Sequence, residues 1–257
     1  YRRDDFAPTH HKLSKLLNSD EGISLMLTQS DNLIDFKNIM DNEKIILFDL
    51  SSIGSDTRKI LGSYLLSFLH NHSLARSKEA ALDRKPFNIY CDEAHIITTD
   101  TLEDMIIESR KFGINLTLAH QYLNQFNASQ KDALLSMGTT IIFNVDLADA
   151  RFFTKDLQGK IDAKEISTLE TGEAVARIGT EIIKMRTPPP ISIPPKSFKE
   201  EIIQNSHEKF YRKTDLVRKQ IKKRLQQFGG GHYTEDILEE IRPVENENQR
   251  IPYDKFN

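Results

Sequence analysis

Short apolar runs separated by helix-length segments dominate the hydrophobic pattern between residues 44 and 145. A compact apolar run of this kind is typical of a strand that is buried on both faces. Strands that alternate with helices form mostly parallel sheets with helices on both faces, so the pattern predicts an α/β fold. The predicted strands are KIILFDLS (44–51), FNIYC (87–91), INLTLAH (114–120) and TTIIFNV (139–145).

Helical periodicity is clearest between the first two predicted strands. There, apolar side chains recur at a spacing of 3–4 residues, and Asp56 is the predicted N-cap. A second helix is predicted before residue 114, and a hairpin is predicted around Gly179-Thr180. The apolar positions of the two helices are Ile60, Leu61, Tyr64, Leu65, Phe68 and Leu69 in the first, and Leu102, Met105 and Ile106 in the second.

Changes in composition predict four regions. Residues 1–30 are expected to be a helical lead-in, and residues 31–187 hold the α/β pattern. The proline-rich segment 188–196, which contains PPPISIPP, is expected to be a stiff and extended spacer. Residues 197–257 combine a charged helical pattern with a polar tail, so a helical extension and a flexible end are predicted.

Composition and charge narrow the picture only slightly. With 257 residues, of which 38% are hydrophobic, the chain can form one sizeable core with extensions. A single cysteine, Cys91, excludes an intramolecular disulfide and a cysteine-based zinc site, and it favours a reducing compartment. The net charge of −3 does not decide between partners, because a motor can confine positive charge to a few loops.

Two carboxylates, Asp92 and Glu93, directly follow the strand 87–91. In open α/β sheets the carboxyl ends of the strands form the ligand crevice. In P-loop NTPases an acid at this place helps to hold Mg²⁺ on the phosphates, and a second acid can orient the attacking water. The alternative is a pair of solvated carboxylates that caps the next helix. The position of the pair supports both interpretations about equally.

The strand 114–120 brings Gln121 to the same edge of the predicted sheet. A side-chain amide there can donate to a γ-phosphate oxygen and accept from a water, although a purely structural glutamine is the more common case. Arg110 follows the second helix and could project across a subunit boundary, where a guanidinium matches phosphate geometry. Its spacing alone favours a simpler role, the complementing of the helix dipole.

Taken together, the segments resemble the ATPases of conjugative and type IV secretion coupling proteins (TraG/TraD-like) within the HerA/FtsK motor superfamily. The resemblance runs from about Asp31 to Pro188 and weakly to about Leu225. The segments that carry it are DFKNIMDNEKIILFDLSSIG, RKILGSYLLSFL, RKPFNIYCDEAH and ESRKFGINLTLAHQYLNQF. The last of these is the most specific, because this family commonly carries an Arg-Lys-aromatic-Gly turn, a strand and then Gln.

This resemblance implies a RecA-like P-loop NTPase fold, ATP and Mg²⁺ as cofactors, and a ring that is most often hexameric. It implies Asp92 as a residue that binds Mg²⁺ through water and Glu93 as the catalytic carboxylate. Gln121 would be the sensor of the γ-phosphate, and Arg110 the finger that acts on a neighbouring subunit. His95 has no role by this resemblance and is taken as an incidental neighbour.

The work implied is the ATP-driven movement of DNA, single-stranded or as nucleoprotein, to a secretion channel. Secretion machinery or relaxosome proteins would be the partners, and the expected location is the cytoplasm at the inner face of the cell membrane. Two other functions stay open on the residues. One is a cytosolic HerA-like translocase in repair or phage defence, and the other is a non-catalytic docking module with the same fold.

One element of the family is absent from residues 1–257, the P-loop pattern G-x-x-x-x-G-K-[ST]. Because the family carries its P-loop upstream of the matched region, the expectation is a C-terminal half whose P-loop and membrane segment precede Tyr1. Such a chain should not hydrolyse ATP alone. A degenerate relative that keeps the fold without catalysis is the alternative.

Basic residues cluster in the extension after residue 211. They could contact nucleic-acid phosphates or an anionic membrane surface. In the alternative, which the spacing favours, Leu216, Ile221 and Leu225 pack against the protein and the charges are solvated. The basic residues are Arg212, Lys213, Arg218, Lys219, Lys222, Lys223 and Arg224.

Overall fold

The chain is described by a computed structural model over residues 25–29, 34–97, 100–192 and 195–227. These residues divide into two compact units. The larger unit, Asp35–Lys196, contains every strand of the described chain. The smaller unit contains the described residues before Asp35 and after Lys196. The predicted boundaries of the four regions are not tested by this division and stay predictions.

The larger unit begins with two helices. Helix α1 (Phe36–Asp41) starts at Asp35, whose carboxylate accepts a hydrogen bond from the backbone N–H of Asn38. Helix α2 (Ser55–Ala75) is the helix that the periodicity predicts. Its N-cap is Gly54 rather than Asp56, so that prediction is wrong; Asp56 lies in the first turn, where a carboxylate still favours the helix dipole.

The segment 44–51 is the main departure from the predicted pattern. It forms neither a helix nor a strand, and the side chains of Ile45 and Leu47 are 90% and 78% exposed. The prediction of a buried strand is therefore wrong for this structure. A strand needs a neighbour that pairs with its backbone N–H and C=O groups, and no strand of the described residues pairs with this segment.

Strands β1 (Phe87–Cys91) and β2 (Ile114–Leu118) confirm the predicted parallel pairing. Phe87 lies opposite Ile114, and the register continues in step to Cys91 opposite Leu118. The connection runs through helix α3 (Asp100–Glu108) and a 3₁₀ turn. Leu102 and Met105 form the buried face of α3, as predicted. Both strands therefore end at the same edge of the sheet.

The other three strands form a separate antiparallel sheet. Strand β3 (Thr139–Ile142) pairs with β4 (Glu173–Ile178), and β4 pairs with β5 (Glu181–Arg186). The predicted hairpin around Gly179-Thr180 is confirmed, and Gly179 adopts a φ of 58°, which glycine tolerates well. The parallel pair β1 and β2, with the helix that connects them, confirms the α/β class. Strand β3 is predicted to join a parallel sheet, but it pairs antiparallel with β4 in the described chain.

One face of the antiparallel sheet is covered by three helices, α4 (Ala128–Leu135), α5 (Leu147–Asp156) and α6 (Ala163–Ile166). The core between these elements is apolar and fully excluded from solvent at its centre. Its buried members are Leu123, Ile142, Ala150, Phe153, Leu157, Ile161, Ile166 and Val175.

Arg177 is a buried charge beside this core. Its guanidinium Nε donates to Oδ2 of Asp156 at 2.8 Å. Its Nη2 donates to the carbonyl of Met137 and to Oγ1 of Thr140, both at 2.9 Å. A buried guanidinium is tolerated when its donors are satisfied in this way, so Arg177 of β4 joins α5, β3 and the turn that follows α4.

In the smaller unit, residues 197–227 form two helices, α7 (Lys199–Phe210) and α8 (Thr214–Gln227). Val217 and Ile221 of α8 are buried against Leu25, as the apolar-seam alternative predicts for Ile221. Leu216 is 54% exposed instead, and the side chain of Leu225 lies outside the described residues. The predicted lead-in before residue 25 and the tail after residue 227 also lie outside them. Among the described helices, none combines the length and apolar character that a bilayer crossing requires.

Candidate functional site at the carboxyl edge of the parallel strands

Backbone hydrogen bonds continue the parallel register beyond the ends of β1 and β2. The N–H of Ala119 donates to the carbonyl of Cys91 at 2.9 Å, and the N–H of Ala94 donates to the carbonyl of Ala119 at 2.8 Å. These two bonds hold the segments that follow the strands side by side. The acidic pair and the glutamine therefore lie on one edge of the sheet.

Glu93 and Gln121 are in direct contact at this edge. The side-chain Nε2 of Gln121 donates to Oε1 of Glu93 at 2.6 Å, a short bond of the kind that a charged acceptor makes. Gln121 is exposed and Glu93 is partly exposed, so both can meet a ligand. The structure thus brings together two of the residues that the sequence singles out.

The backbone of Glu93 is unusual, with a φ of 50°. Non-glycine residues rarely adopt this left-handed conformation, and such residues cluster at functional sites. Asp92, the residue before it, is exposed, and its Oδ1 accepts a hydrogen bond from the N–H of Glu93 at 3.0 Å. The turn at the strand end is thus held by the first carboxylate and presents the second toward Gln121.

His95 lies on the other side of the Glu93 carboxylate. Its Nδ1 is 3.2 Å from Oε2 of Glu93, and the two side chains are 23% and 34% exposed. The direction of this contact does not meet the geometry of a hydrogen bond, so it acts as an ion pair whenever the imidazole is protonated. Sequence reasoning missed this contact, because His95 carried no motif role.

A second histidine, His120, directly precedes Gln121. Its ring packs edge-on against Phe126, with centroids 4.9 Å apart. Burial lowers the pKa of His120, and the charge of Asp149 opposes this effect. Asp149 is itself buried, and its Oδ2 accepts from the N–H of Leu123 at 3.0 Å. Nothing in the pattern of β2 points to Asp149, because it belongs to a distant helix, α5.

Arg110 lies apart from these residues within the chain. It is exposed in the 3₁₀ turn Ser109–Phe112, which precedes β2, whereas Gln121 follows that strand. A five-residue strand spans about 16 Å, so the same chain does not bring Arg110 to Glu93. The turn is well anchored: Arg84 donates to the carbonyl of Lys111, and Arg76 donates to the carbonyl of Phe112.

The acidic pair fits a magnesium ion only in part. Mg²⁺ is usually bound by one or two carboxylates, with waters and substrate phosphates as its other ligands. Asp92 offers such a carboxylate at an exposed position. Within the described ranges no group of three or more His, Cys, Asp or Glu side chains could hold a metal ion by itself. A Mg²⁺ ion here would therefore depend on a phosphate-bearing ligand.

The fold and this edge together define a class: an α/β protein with an acidic pair and an amide at the carboxyl ends of two parallel strands, the edge at which open α/β sheets bind their ligands. No protein-family model matches the chain, and no curated protein matches it. Several solved structures, however, are similar to it.

VirB4 of Thermoanaerobacter pseudethanolicus is 19% identical, over 57% of this chain and 40% of that chain, with a TM-score of 0.44. The genome packaging NTPase B204 from Sulfolobus turreted icosahedral virus 2, in complex with AMP, is 13% identical over 60% and 72%, with a TM-score of 0.44. The bacterial conjugative coupling protein TrwB is 13% identical over 56% and 40%, with a TM-score of 0.46.

These neighbours include a conjugative coupling protein, the class that the sequence motifs resemble. This chain spans 40% of the VirB4 and TrwB chains.

Proposed function

We propose that this chain is the C-terminal part of an ATP-driven motor of the coupling-protein type, with its hydrolytic residues at the carboxyl edge of β1 and β2. The observation that carries the proposal is the 2.6 Å hydrogen bond from Gln121 Nε2 to Glu93 Oε1. It joins a carboxylate that can accept a proton from water to an amide that can sense a phosphate.

In this proposal Glu93 orients the water that attacks the γ-phosphorus and accepts its proton as the bond to the ADP leaving group breaks. Asp92 would hold Mg²⁺, through water, and the ion would neutralise charge on the phosphates. The amide nitrogen of Gln121 carries two hydrogens, so one can stay on Glu93 while the other donates to a γ-phosphate oxygen. Hydrolysis would remove the second partner, and that change would be passed to the turn after β2.

Arg110 is proposed to act on the nucleotide of a neighbouring subunit. Its distance from Gln121 along β2 excludes a shared role in one chain but suits a ring in which one subunit's turn meets the next subunit's site. A guanidinium is always charged and matches phosphate geometry, which is what such a finger requires. A hexameric ring is the assembly implied by the resemblance.

The phosphate cradle is proposed to come from a P-loop segment upstream of Tyr1, since residues 1–257 contain no P-loop pattern.

The substrate of the proposed motor would be DNA, single-stranded or as nucleoprotein. The motor would move it toward a secretion channel at the inner face of the cell membrane, with relaxosome or secretion proteins as partners. A cytosolic HerA-like translocase is the related alternative. An upstream transmembrane segment supports the first, and its absence supports the second.

The missing P-loop pattern also favours a different candidate, a non-catalytic docking module. Expression of the complete coding region, including any sequence upstream of Tyr1, separates the two. A motor should hydrolyse ATP with stimulation by DNA, whereas residues 1–257 alone should not hydrolyse it. An intact upstream region without a P-loop, and without hydrolysis, would support the docking module.

The decisive variant is Glu93→Gln in that complete protein. It keeps the shape of the side chain and removes its basicity, so kcat should fall by about 100-fold or more while the KM for ATP changes little. Arg110→Ala should abolish hydrolysis when every subunit carries it. Mixed rings of Arg110→Ala and Glu93→Gln subunits should recover part of it, because some sites then combine an intact Glu93 with an intact Arg110 from the neighbouring subunit. Unchanged hydrolysis in Glu93→Gln would overturn the role of Glu93, and unchanged hydrolysis in Arg110→Ala would overturn the finger.

A further inference from the structure

Both carboxylate oxygens of Glu93 have a neighbour at the strand edge. Oε1 accepts from Gln121 Nε2 at 2.6 Å, and Oε2 lies 3.2 Å from Nδ1 of His95. Gln121 comes from the segment after β2, whereas His95 comes from the turn after β1. The carboxylate is thus held between two elements of the fold.

We propose that His95 is a positioning residue for the Glu93 carboxylate. The proposal deepens the proposed function, on which it rests, because it adds a residue to the hydrolytic edge. His95 would not touch the nucleotide or the attacking water. It would act through Glu93, by limiting the orientations that the carboxylate can take.

The local backbone favours this arrangement. Because Glu93 has a φ of 50°, the chain reverses there and enters the 3₁₀ turn Ala94–Ile97 directly. Ala94 is fully buried, its N–H bonds to Ala119, and the turn packs on α2. His95 therefore sits on a fixed base and faces back toward the side chain of Glu93.

Two contacts restrict the carboxylate more than one does. The terminal torsion of a glutamate is soft, so a single bond from Gln121 leaves the plane of the carboxylate free to rotate. A second neighbour on the other oxygen removes that freedom. Correct placement of a catalytic group is worth one to two orders of magnitude in rate, because misplacement by about 1 Å can cost 100-fold.

The contact itself can be tested on residues 1–257 without any catalytic activity. The imidazole ¹⁵N resonances of His95, assigned with a His95→Asn variant, should move when Glu93 is replaced in Glu93→Gln. The resonances of His72, which lies in α2 and whose Nδ1 is 2.8 Å from the carbonyl of Phe68, serve as the internal reference. His95 resonances that stay unchanged in Glu93→Gln would overturn the proposal.

The consequence for catalysis is tested in the complete protein. His95→Ala should lower kcat by about tenfold or more with an unchanged KM for ATP, because a positioning role affects the reacting carboxylate and not nucleotide binding. His95→Lys keeps a cationic nitrogen that can reach Oε2 of Glu93 and should restore part of the rate, whereas the uncharged His95→Asn should not. His72→Asn is the matched control and should behave as the wild type.

A His95→Ala enzyme with the wild-type kcat would overturn the positioning role, as would a His95→Lys enzyme that is no better than His95→Ala. Failure of the proposed function gives a different result. In that case Glu93→Gln leaves ATP hydrolysis unchanged, while the resonances of His95 still respond to Glu93.

Discussion

The edge of the parallel strands and the buried guanidinium of Arg177 are both polar clusters, and they are built in opposite ways. Arg177 is only 8% exposed, and its donors reach a carboxylate in α5, a hydroxyl in β3 and a backbone carbonyl in the turn after α4. Glu93 is partly exposed, has a left-handed backbone, and its carboxylate contacts side chains of two short turns. The first cluster is buried within the fold, whereas the second is open to solvent.

The comparison is tested most strongly by Arg177→Ala. It leaves the carboxylate of Asp156 buried without its partner, and the loss of one member of a buried pair costs about 3–5 kcal/mol of unfolding free energy. Chemical denaturation measures the change. Gln121→Ala is the matched variant at the exposed edge and should cost less than about 1 kcal/mol.

Replacement of both partners, Arg177→Met with Asp156→Leu, should recover most of the loss, because no uncompensated charge then remains. Equal destabilisation by Arg177→Ala and Gln121→Ala would show that the two clusters do not differ in this way.

A smaller effect is expected from the backbone of Glu93. A non-glycine residue in the left-handed region costs about 1 kcal/mol relative to glycine. Glu93→Gly should therefore unfold at higher denaturant than Glu93→Ala, since both variants lose the side-chain contacts and only glycine relieves the conformation. At Ala94, which has no left-handed backbone, Ala94→Gly should instead unfold at lower denaturant than the wild type. Equal stability of the two Glu93 variants would exclude strain at this position.

The smallest expected effect is a dependence on pH at the same edge. Burial lowers the pKa of His120 from the ordinary value, so the unfolded chain binds a proton more readily than the folded chain. Stability should thus decrease as pH falls below about 6.5, the ordinary histidine pKa, and level off once the folded pKa is passed. His120→Asn should lose less stability over that interval when unfolding is measured at several pH values. An identical dependence in wild type and variant would contradict this assignment.

Much of the site could be predicted from the sequence because its determinants are local. The strands 87–91 and 114–118 follow from their own apolar runs, and their parallel pairing, with a helix between them in the chain, places both carboxyl ends at one edge. The positions of Asp92, Glu93 and Gln121 at this edge then follow from simple counting. Arg110 before β2 follows in the same way, and so does its separation from Glu93.

Contacts between separate elements depend on the three-dimensional packing and could not be predicted from residue types. Residues 44–51 have as strong a strand pattern as β1, yet no strand of the described residues pairs with them, and a strand exists only where a second backbone accepts its hydrogen bonds. The antiparallel partner of β3 and the contact between Asp149 and the turn after Gln121 are also non-local.

His95 shows the limit most clearly. The sequence places it two residues after Glu93, but its contact with Oε2 depends on a left-handed φ at Glu93 and on the bond from Ala94 to Ala119. The residue types predict neither the left-handed φ nor this backbone bond, since a glutamate seldom adopts that conformation without support from its surroundings. The order of strands and turns along the chain sets which residues reach the edge, and the packing around the edge sets how they face one another.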